Sequence, residues 1–323
     1  MKYTPPKFDT LQKMAAIDVA RLTEDEARKV LENLRWHDGI TCIHCGSIRV
    51  CRINGKSEKV RDGLLQCNDC RKQFTVTVGT IMEDSHITLR QWVQAFHAMC
   101  ASKKGVSALQ LKRNLGLGSY KSAWFLCHRI RLAMSNNNLV KMSGIVEVDE
   151  TYVGGKPRKG LRDENGTLII NKRGRGTKKI PVVALIQRDG NMVAKVFTHV
   201  TAATLKEAIR ANVQQNTIIM TDECPSYKSL NPNEYPHLSV NHSAGEYSRN
   251  GINCNSNESY FALLKRGVHG TFHHVSETHL QRYCNEFSFR WDNRKTNDGE
   301  RTVNAINGAW GKRLSYKPLT HAA

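Results

Sequence analysis

Two groups of residues in this sequence have the types and spacing to do chemistry. The first is Cys42-Ile-His-Cys45 and Cys67-Asn-Asp-Cys70, two CxxC pairs separated by 21 residues. Each pair lets two thiolates reach one ion from a tight turn, and two pairs complete a tetrahedral site. Four thiolates leave no position for water, so the expected ion is a structural Zn2+. Gly46 and Arg71 follow the pairs, where knuckle turns suit them. Cys51 reads as a spare thiol and His44 as an exposed side chain within its knuckle.

The second group is acidic. Asp149 lies inside the apolar run IVEVDETYV, and Asp222 sits near the end of TIIMTDE. Leaving a carboxylate in a hydrophobic strand costs on the order of several kcal/mol unless it is paired or bound to metal. Two such acids in neighbouring strands suggest a shared cation, and Glu258, at the start of NESYFALLKRG, is the best-placed further ligand. A few carboxylates with open positions for water and phosphate oxygens suit Mg2+, with Mn2+ able to substitute. Two such ions about 4 Å apart activate a water or 3′-hydroxyl and stabilise a leaving oxygen. Taken singly, each acid has an ordinary reading: a solvent-facing edge residue, a turn cap before Pro225, a first-turn helix acid. The set carries the argument. Glu147 shares a strand face with Asp149, whereas Glu150 points to the other face. Glu150, Glu223 and Glu246 are weaker candidates.

These groups need elements to hold them. Residues 23–36 read as a helix, with Thr23 and Glu26 at capping-box spacing and Ala27, Val30, Leu31 and Leu34 on one stripe. The cysteine-rich stretch 40–80 lacks helical periodicity and ends in a β-rich run, QFTVTVGT. Three helices follow within 88–134: one from Thr88, one capped by Ser107 and ended by Gly116, and one from Ser119. The last two have helix-turn-helix form, with Ala108, Leu111 and Leu115 packing on Ala123, Trp124, Cys127 and Ile130. Tyr120, Lys121, Arg129 and Arg131 are then expected on the exposed side, in reach of bases and phosphates. From residue 144 the pattern turns to strands. A strand (144–155), a hairpin turning at Asp189-Gly190, a helix (201–213), a strand (217–223) and two helices (256–268, 276–294) make an α/β domain with a mixed sheet.

Charge points to a partner. The chain of 323 residues carries 48 Lys+Arg against 29 Asp+Glu, a net +19, and residues 101–200 hold 19 of the basic and 6 of the acidic residues. A concentrated basic excess suits nucleic acid. The segment 155–179 reads as a solvated loop, and its Lys156, Arg158, Lys159, Arg173 and Arg175 suit a DNA backbone. With 40% hydrophobic residues the chain can bury real cores, and no apolar run approaches the roughly 20 residues that span a bilayer. A cytoplasmic protein with no membrane association is expected.

The runs VDETYVGGK, TDECPSYKSL and NESYFALLKRGVHGTFHHVSETHLQRYCNEFSFRWDNR, with the upstream cysteine pairs, resemble bacterial insertion-sequence transposases of the DDE class that carry an N-terminal zinc ribbon. The resemblance covers roughly residues 20–300. It implies an α/β catalytic domain with a ribonuclease H-like mixed sheet, preceded by the zinc ribbon and a helix-turn-helix region. Asp149 and Asp222 match the family's two aspartates, and Glu258, separated from Asp222 by 35 residues, matches its third acid. Some relatives have asparagine there. The implied partners are double-stranded DNA, as transposon terminal inverted repeats and target, and further copies of the chain in a homodimer or larger assembly. Lys265 and Arg266, in LLKRG, join the expected DNA contacts. The expected division is a helical segment (1–38), the zinc ribbon (39–84), the helix-turn-helix region (85–140), the catalytic domain (141–300) and a tail (301–323). Two other readings stay open: a non-catalytic DNA-binding descendant, and a ribonuclease H-like nuclease without strand transfer.

Overall fold

The computed structural model describes residues 9–53, 62–135, 140–154, 164–167, 179–222, 225–227, 230–241, 244–246 and 248–316. Contacts divide the chain into two compact units: Met1–Asn136 together with Asn293–Ala323, and Asn137–Asp292.

The first unit opens with α1 (Asp9–Lys13), α2 (Ala16–Arg21) and α3 (Glu24–Arg35). The Thr23 hydroxyl accepts from the Glu26 amide, while the Glu26 carboxylate accepts from the Thr23 amide at 2.8 Å. This closes the expected capping box. The predicted stripe Ala27, Val30, Leu31 and Leu34 is buried. A small antiparallel sheet follows, β1 (Val50–Arg52), β2 (Leu65–Cys67) and β3 (Gln73–Phe74), in that order. The β-rich run expected through residue 80 stops at Phe74. The backbone turns there instead, with Val78 N donating to Thr75 O and Thr80 N to Thr77 O, while Arg35 Nη1 donates to the Val76 and Val78 carbonyls at 2.7 Å each.

Helices α4 (Leu89–Ala101), α5 (Ala108–Leu115) and α6 (Tyr120–Ala133) begin at Thr88, Ser107 and Ser119, each of whose hydroxyls accepts an amide of the first turn. Gly116 ends α5 at φ +62°, a left-handed conformation that glycine adopts without steric cost. Leu111, Ala123, Cys127 and Ile130 are fully buried where α5 meets α6.

The second unit is a five-stranded mixed sheet. Its strands are β4 (Ile145–Val153), β5 (Ile180–Gln187), β6 (Met192–Val196), β7 (Ile218–Thr221) and β8 (His237–Ser239), in the order β6-β5-β4-β7-β8. Strands β4 to β6 form an antiparallel meander. Helix α7 (Ala202–Asn212) then returns the chain so that β7 runs parallel to β4, as such a pairing requires. Strand alternation divides β4 between two cores. Val146 and Val148 face α7, with Val183, Leu185, Ile219 and Tyr227. Val153, Val182, Ala184 and Ile186 share the other core with α8 (Asn255–Gly267) and α9 (Glu277–Asp292). A single π turn, Val268–Phe272, follows α8. The three-residue edge strand β8 was not anticipated.

The tail expected from 301 is helical at its start. Asn297 and Glu300 form a capping box for α10 (Asp298–Asn307), which buries Val303, Ala305 and Ile306 and packs on α4. The contact boundary falls at Asp292 rather than at 300, so residues 293–316 join the first unit. Among the described residues no helix is long and apolar enough to cross a membrane.

Close helix packing gives a test of the second unit. A Cβ on Gly267 would stand 2.0 Å from Cζ of Phe287 on α9. Gly267→Ala gains up to about 1 kcal/mol of helix propensity, but the overpacking costs about 1–3 kcal/mol. Urea denaturation should show a net loss of stability; an unchanged midpoint would mean that α8 and α9 are not this close.

Candidate functional site

The four cysteines of the two pairs gather at one point, with their Sγ atoms all within 4.8 Å of one another. Cys42 and Cys70 sulfurs are 3.7 Å apart, and Cys45 and Cys67 sulfurs 3.6 Å. Four sulfurs at about 2.3 Å from one zinc stand roughly 3.8 Å apart, so the cluster fits a tetrahedral ion. Local backbone builds each knuckle. Gly46 N donates to Cys42 O and Arg71 N to Cys67 O, and both Gly46 and Arg71 have positive φ. The His44 amide reaches Cys42 Sγ at 3.4 Å and the Cys70 amide reaches Cys67 Sγ at 3.5 Å. The Cys70 amide, first among several contacts, holds the Cys67 thiol well below its ordinary range, toward the thiolate that metal requires. Cys51 stays outside, donating to Asn68 Oδ1, and His44 is exposed with its ring edge toward Phe74.

The acids converge in the second unit. The β4–β7 register sets Glu147 beside Met220, so continuing it by two residues brings Asp222 level with Asp149. Strand β4 is central, which removes the edge-residue reading of Asp149. Burial, followed by the charge of Asp222, pushes the Asp149 carboxyl up to about 8, and Glu150 and Glu258 push the same way. Glu258 is exposed in the first turn of α8, as its position in the sequence suggests. Among the described residues only the cysteines bring three or more donor atoms within 4.8 Å of one another. The three acids do not all come within that distance of one another. Their oxygens and the unfavourable charge on Asp149 nevertheless fit a hard divalent cation.

The neighbouring acids have other attachments. Glu150 faces the α7 side, where Tyr227 Oη donates to it at 3.0 Å. Glu246 accepts from the Asn241 amide and pairs with Arg249. Glu147 is 1% exposed and bound to Arg188 at 2.8 Å. Sequence gave no sign of that partner, which lies in the hairpin turn. Beside Asp222, His237 Nε2 meets Thr221 Oγ1 at 2.8 Å, and burial holds the imidazole toward its neutral form.

The expected basic contacts divide. Tyr120 and Lys121 are exposed at the start of α6, with Lys121 Nζ 4.3 Å from the Tyr316 ring centre. Arg129 and Arg131 are not on a free face, being 7% and 2% exposed. Arg129 donates to Glu83 O at 3.0 Å and stacks on Phe125. The face left open by α5 is occupied by the segment ending in Glu83 and by α10. Lys265 and Arg266 are exposed on α8. Burial and Lys179 lower the Lys265 ammonium while Asp149 raises it, which ties Lys265 to the acidic group. Lys156, Arg158, Lys159, Arg173 and Arg175 lie outside the described residues. His273 and His274 are exposed just after the π turn, His273 at φ +60°.

Two outcomes check this geometry. Cys67→Ser should lose zinc from the natively purified protein and unfold the ribbon, since metal binding energy there is folding energy; metal analysis and circular dichroism would show it, and retained zinc would refute the site. For Asp149, the folded carboxyl keeps its proton to about pH 8, whereas an unfolded aspartate ionises near about 3.9. Its burial therefore destabilises the metal-free protein increasingly as pH rises through that window. Asp149→Asn should raise the metal-free Tm at pH 8 and leave it unchanged near pH 4. An equal shift at both values would contradict the assignment.

With this geometry in place, known proteins can be compared. Residues 141–292 match the ISXO2-like transposase domain, and residues 22–73 match the transposase zinc-ribbon domain. An uncharacterized protein in transposable element ISH50 of Halobacterium salinarum is 26% identical over 275 residues, covering 83% of this chain and 91% of that one. An uncharacterized transposase-like protein of Haemophilus influenzae is 30% identical over 106 residues, 32% of this chain and 85% of that one. A chain of a pre-cleavage Mos1 transpososome aligns over 97% of this chain and 100% of its own at 13% identity, but its TM-score of 0.26 carries no argument. The chain thus belongs to the insertion-sequence transposases of the ISXO2-like family, which join a zinc ribbon to the transposase domain.

Proposed function

We propose that this transposase is an active DDE enzyme that cuts DNA at transposon ends and joins the 3′-hydroxyl to target DNA. The observation that supports it most is Asp149, a carboxyl on the central strand raised first by burial and then by the charge of Asp222, with smaller contributions from Glu150 and Glu258. A half-buried carboxyl whose charge its neighbouring acids disfavour is what a site for a divalent cation would present before the ion binds. On this reading they hold two Mg2+ ions, replaceable by Mn2+, which would activate the attacking hydroxyl and stabilise the leaving oxygen. The chain's own residues do the positioning. On this reading the β4–β7 register, continued by two residues, would bring Asp149 level with Asp222, the first turn of α8 would bring Glu258, and Lys265 would offer an ammonium to a phosphate.

The sheet order β6-β5-β4-β7-β8, with its antiparallel meander and parallel return, supports a ribonuclease H-like catalytic domain. Helices α5 and α6 suit a helix-turn-helix, with Tyr120 and Lys121 at the exposed start of the recognition helix. The zinc ribbon braces that unit. Double-stranded DNA, as terminal repeats and target, is then the partner, gripped by a dimer or larger assembly in the cytoplasm.

Incubating the protein with Mg2+ and a labelled end duplex separates the outcomes: joined strands support transfer, cut strands alone a nuclease, and bound intact DNA a binding protein. Asp149→Asn, Asp222→Asn and Glu258→Gln should each abolish cutting and joining while end binding persists, because each keeps shape but removes a ligand charge. Glu150→Gln should retain activity. A Glu258→Gln enzyme that joins strands at near wild-type rate would remove Glu258 from the set. End binding should fall steeply with salt as counterions are released, and Lys121→Ala should weaken it. Arg131→Ala should instead lower stability. Binding insensitive to salt would defeat the electrostatic argument.

A further inference from the structure

The helix that carries Glu258 is capped only in part from nearby, with Asn253 Oδ1 accepting from the Asn255 amide at 3.3 Å. Cys254 occupies the N-cap of α8 and makes no side-chain capping bond. The first turn of a helix presents unsatisfied amides that need acceptors. One acceptor comes from across the unit: Glu147, on β4, whose Oε2 accepts from the Ser256 amide at 3.0 Å. Its Oε1 accepts from Arg188 Nε at 2.8 Å. Arg188, just past the end of β5, also donates from Nη1 to Gly251 O at 2.9 Å and from Nη2 to Asn253 O at 3.3 Å. One carboxylate and one guanidinium thus join β4, the β5–β6 turn, residues 251–253 and the start of α8.

We propose that Glu147 and Arg188 are a positioning pair that fixes the start of α8, and with it Glu258, against the strand that bears Asp149. The proposal rests on the reading of Asp149, Asp222 and Glu258 as a joint ion site. Glu147 stands two residues before Asp149 on the same face of β4. Ser256 stands two residues before Glu258 on α8. The Glu147–Ser256 bond therefore sets the helix start at a fixed place along the strand, and the two acids beyond it inherit that spacing. Glu147 is 1% exposed and its charge is answered by Arg188, so it already has its full set of partners. A charge-assisted bond to a helix amide in such a setting is strong and directional. Asn257 adds a weaker tether on the same helix turn, its Nδ2 donating at 3.3 Å to the carbonyl of Ala184, the residue paired with Asp149.

Glu147→Gln and Arg188→Lys test the pair with little change in volume. A glutamine has one acceptor oxygen, so it keeps only one of the two bonds; a lysine keeps the charge but cannot reach two carbonyls as a fork. Two measurements run on each variant and on Asp149→Asn: hydrogen exchange of the α8 first turn in the metal-free protein, and the Mn2+ concentration for half-maximal end cleavage. Both pair variants should exchange about tenfold faster at residues 255–259, with α7 and α9 unchanged, and should need several-fold more Mn2+. Asp149→Asn should leave that exchange unchanged and abolish cleavage. Exchange that stays at the wild-type rate in folded pair variants would overturn the proposal. So would faster exchange with an unchanged Mn2+ requirement. Loss of all cleavage in Glu147→Gln with unchanged exchange would make Glu147 a ligand instead, also overturning it. Cleavage that survives in Asp149→Asn would fail the ion-site reading itself, while the exchange result still decides whether the pair pins α8.

Discussion

Two carboxylates set side by side on parallel strands repel, and the second unit is organised around holding them there. Burial and the charge of Asp222 keep the Asp149 carboxyl protonated to about pH 8. The parallel β4–β7 register, continued past its last pair Glu147–Met220, brings Asp149 and Asp222 level. Apolar side chains on both faces of β4 hold the strand in place. The raised Asp149 carboxyl is the local sign of that constraint. On the proposed reading, a divalent cation completes the arrangement.

The first unit meets a different demand. Its ribbon sheet has strands of three, three and two residues, too short to bury a core of their own. Four thiols meeting at one point supply what side-chain packing does not. Around them, Arg35 ties the end of α3 to the carbonyls of Val76 and Val78, and its guanidinium lies over the rings of Trp36 and Trp310. The hydrogen bonds of Arg35 thus connect the end of the ribbon to α3.

Much of this was legible because it is local. Thr23, Thr88, Ser107, Ser119, Gly116 and Thr201 each act within one turn of the helix end they mark, so spacing along the chain suffices to read them. The cysteine pairs and the buried acids stood out because their chemistry conflicts with an ordinary core. Features set by distant partners did not show. Arg129 and Arg131 fall on an open face when α6 is set against α5 alone, whereas α10, from the far end of the chain, also covers α6. Asn297 and Glu300 marked the start of α10 in capping-box form, a signal that was present and passed over. The Glu147–Arg188 pair spans 41 residues and had no sequence signature at all.

The central claim is that Asp149, Asp222 and Glu258 jointly hold divalent ions. Crystals of the wild-type protein with end DNA and saturating Mn2+, measured for anomalous scattering, test it most directly. The account predicts two peaks about 4 Å apart, with Asp149 coordinating at least one at roughly 2.2 Å. Bound end DNA with no anomalous density beside Asp149 would contradict it.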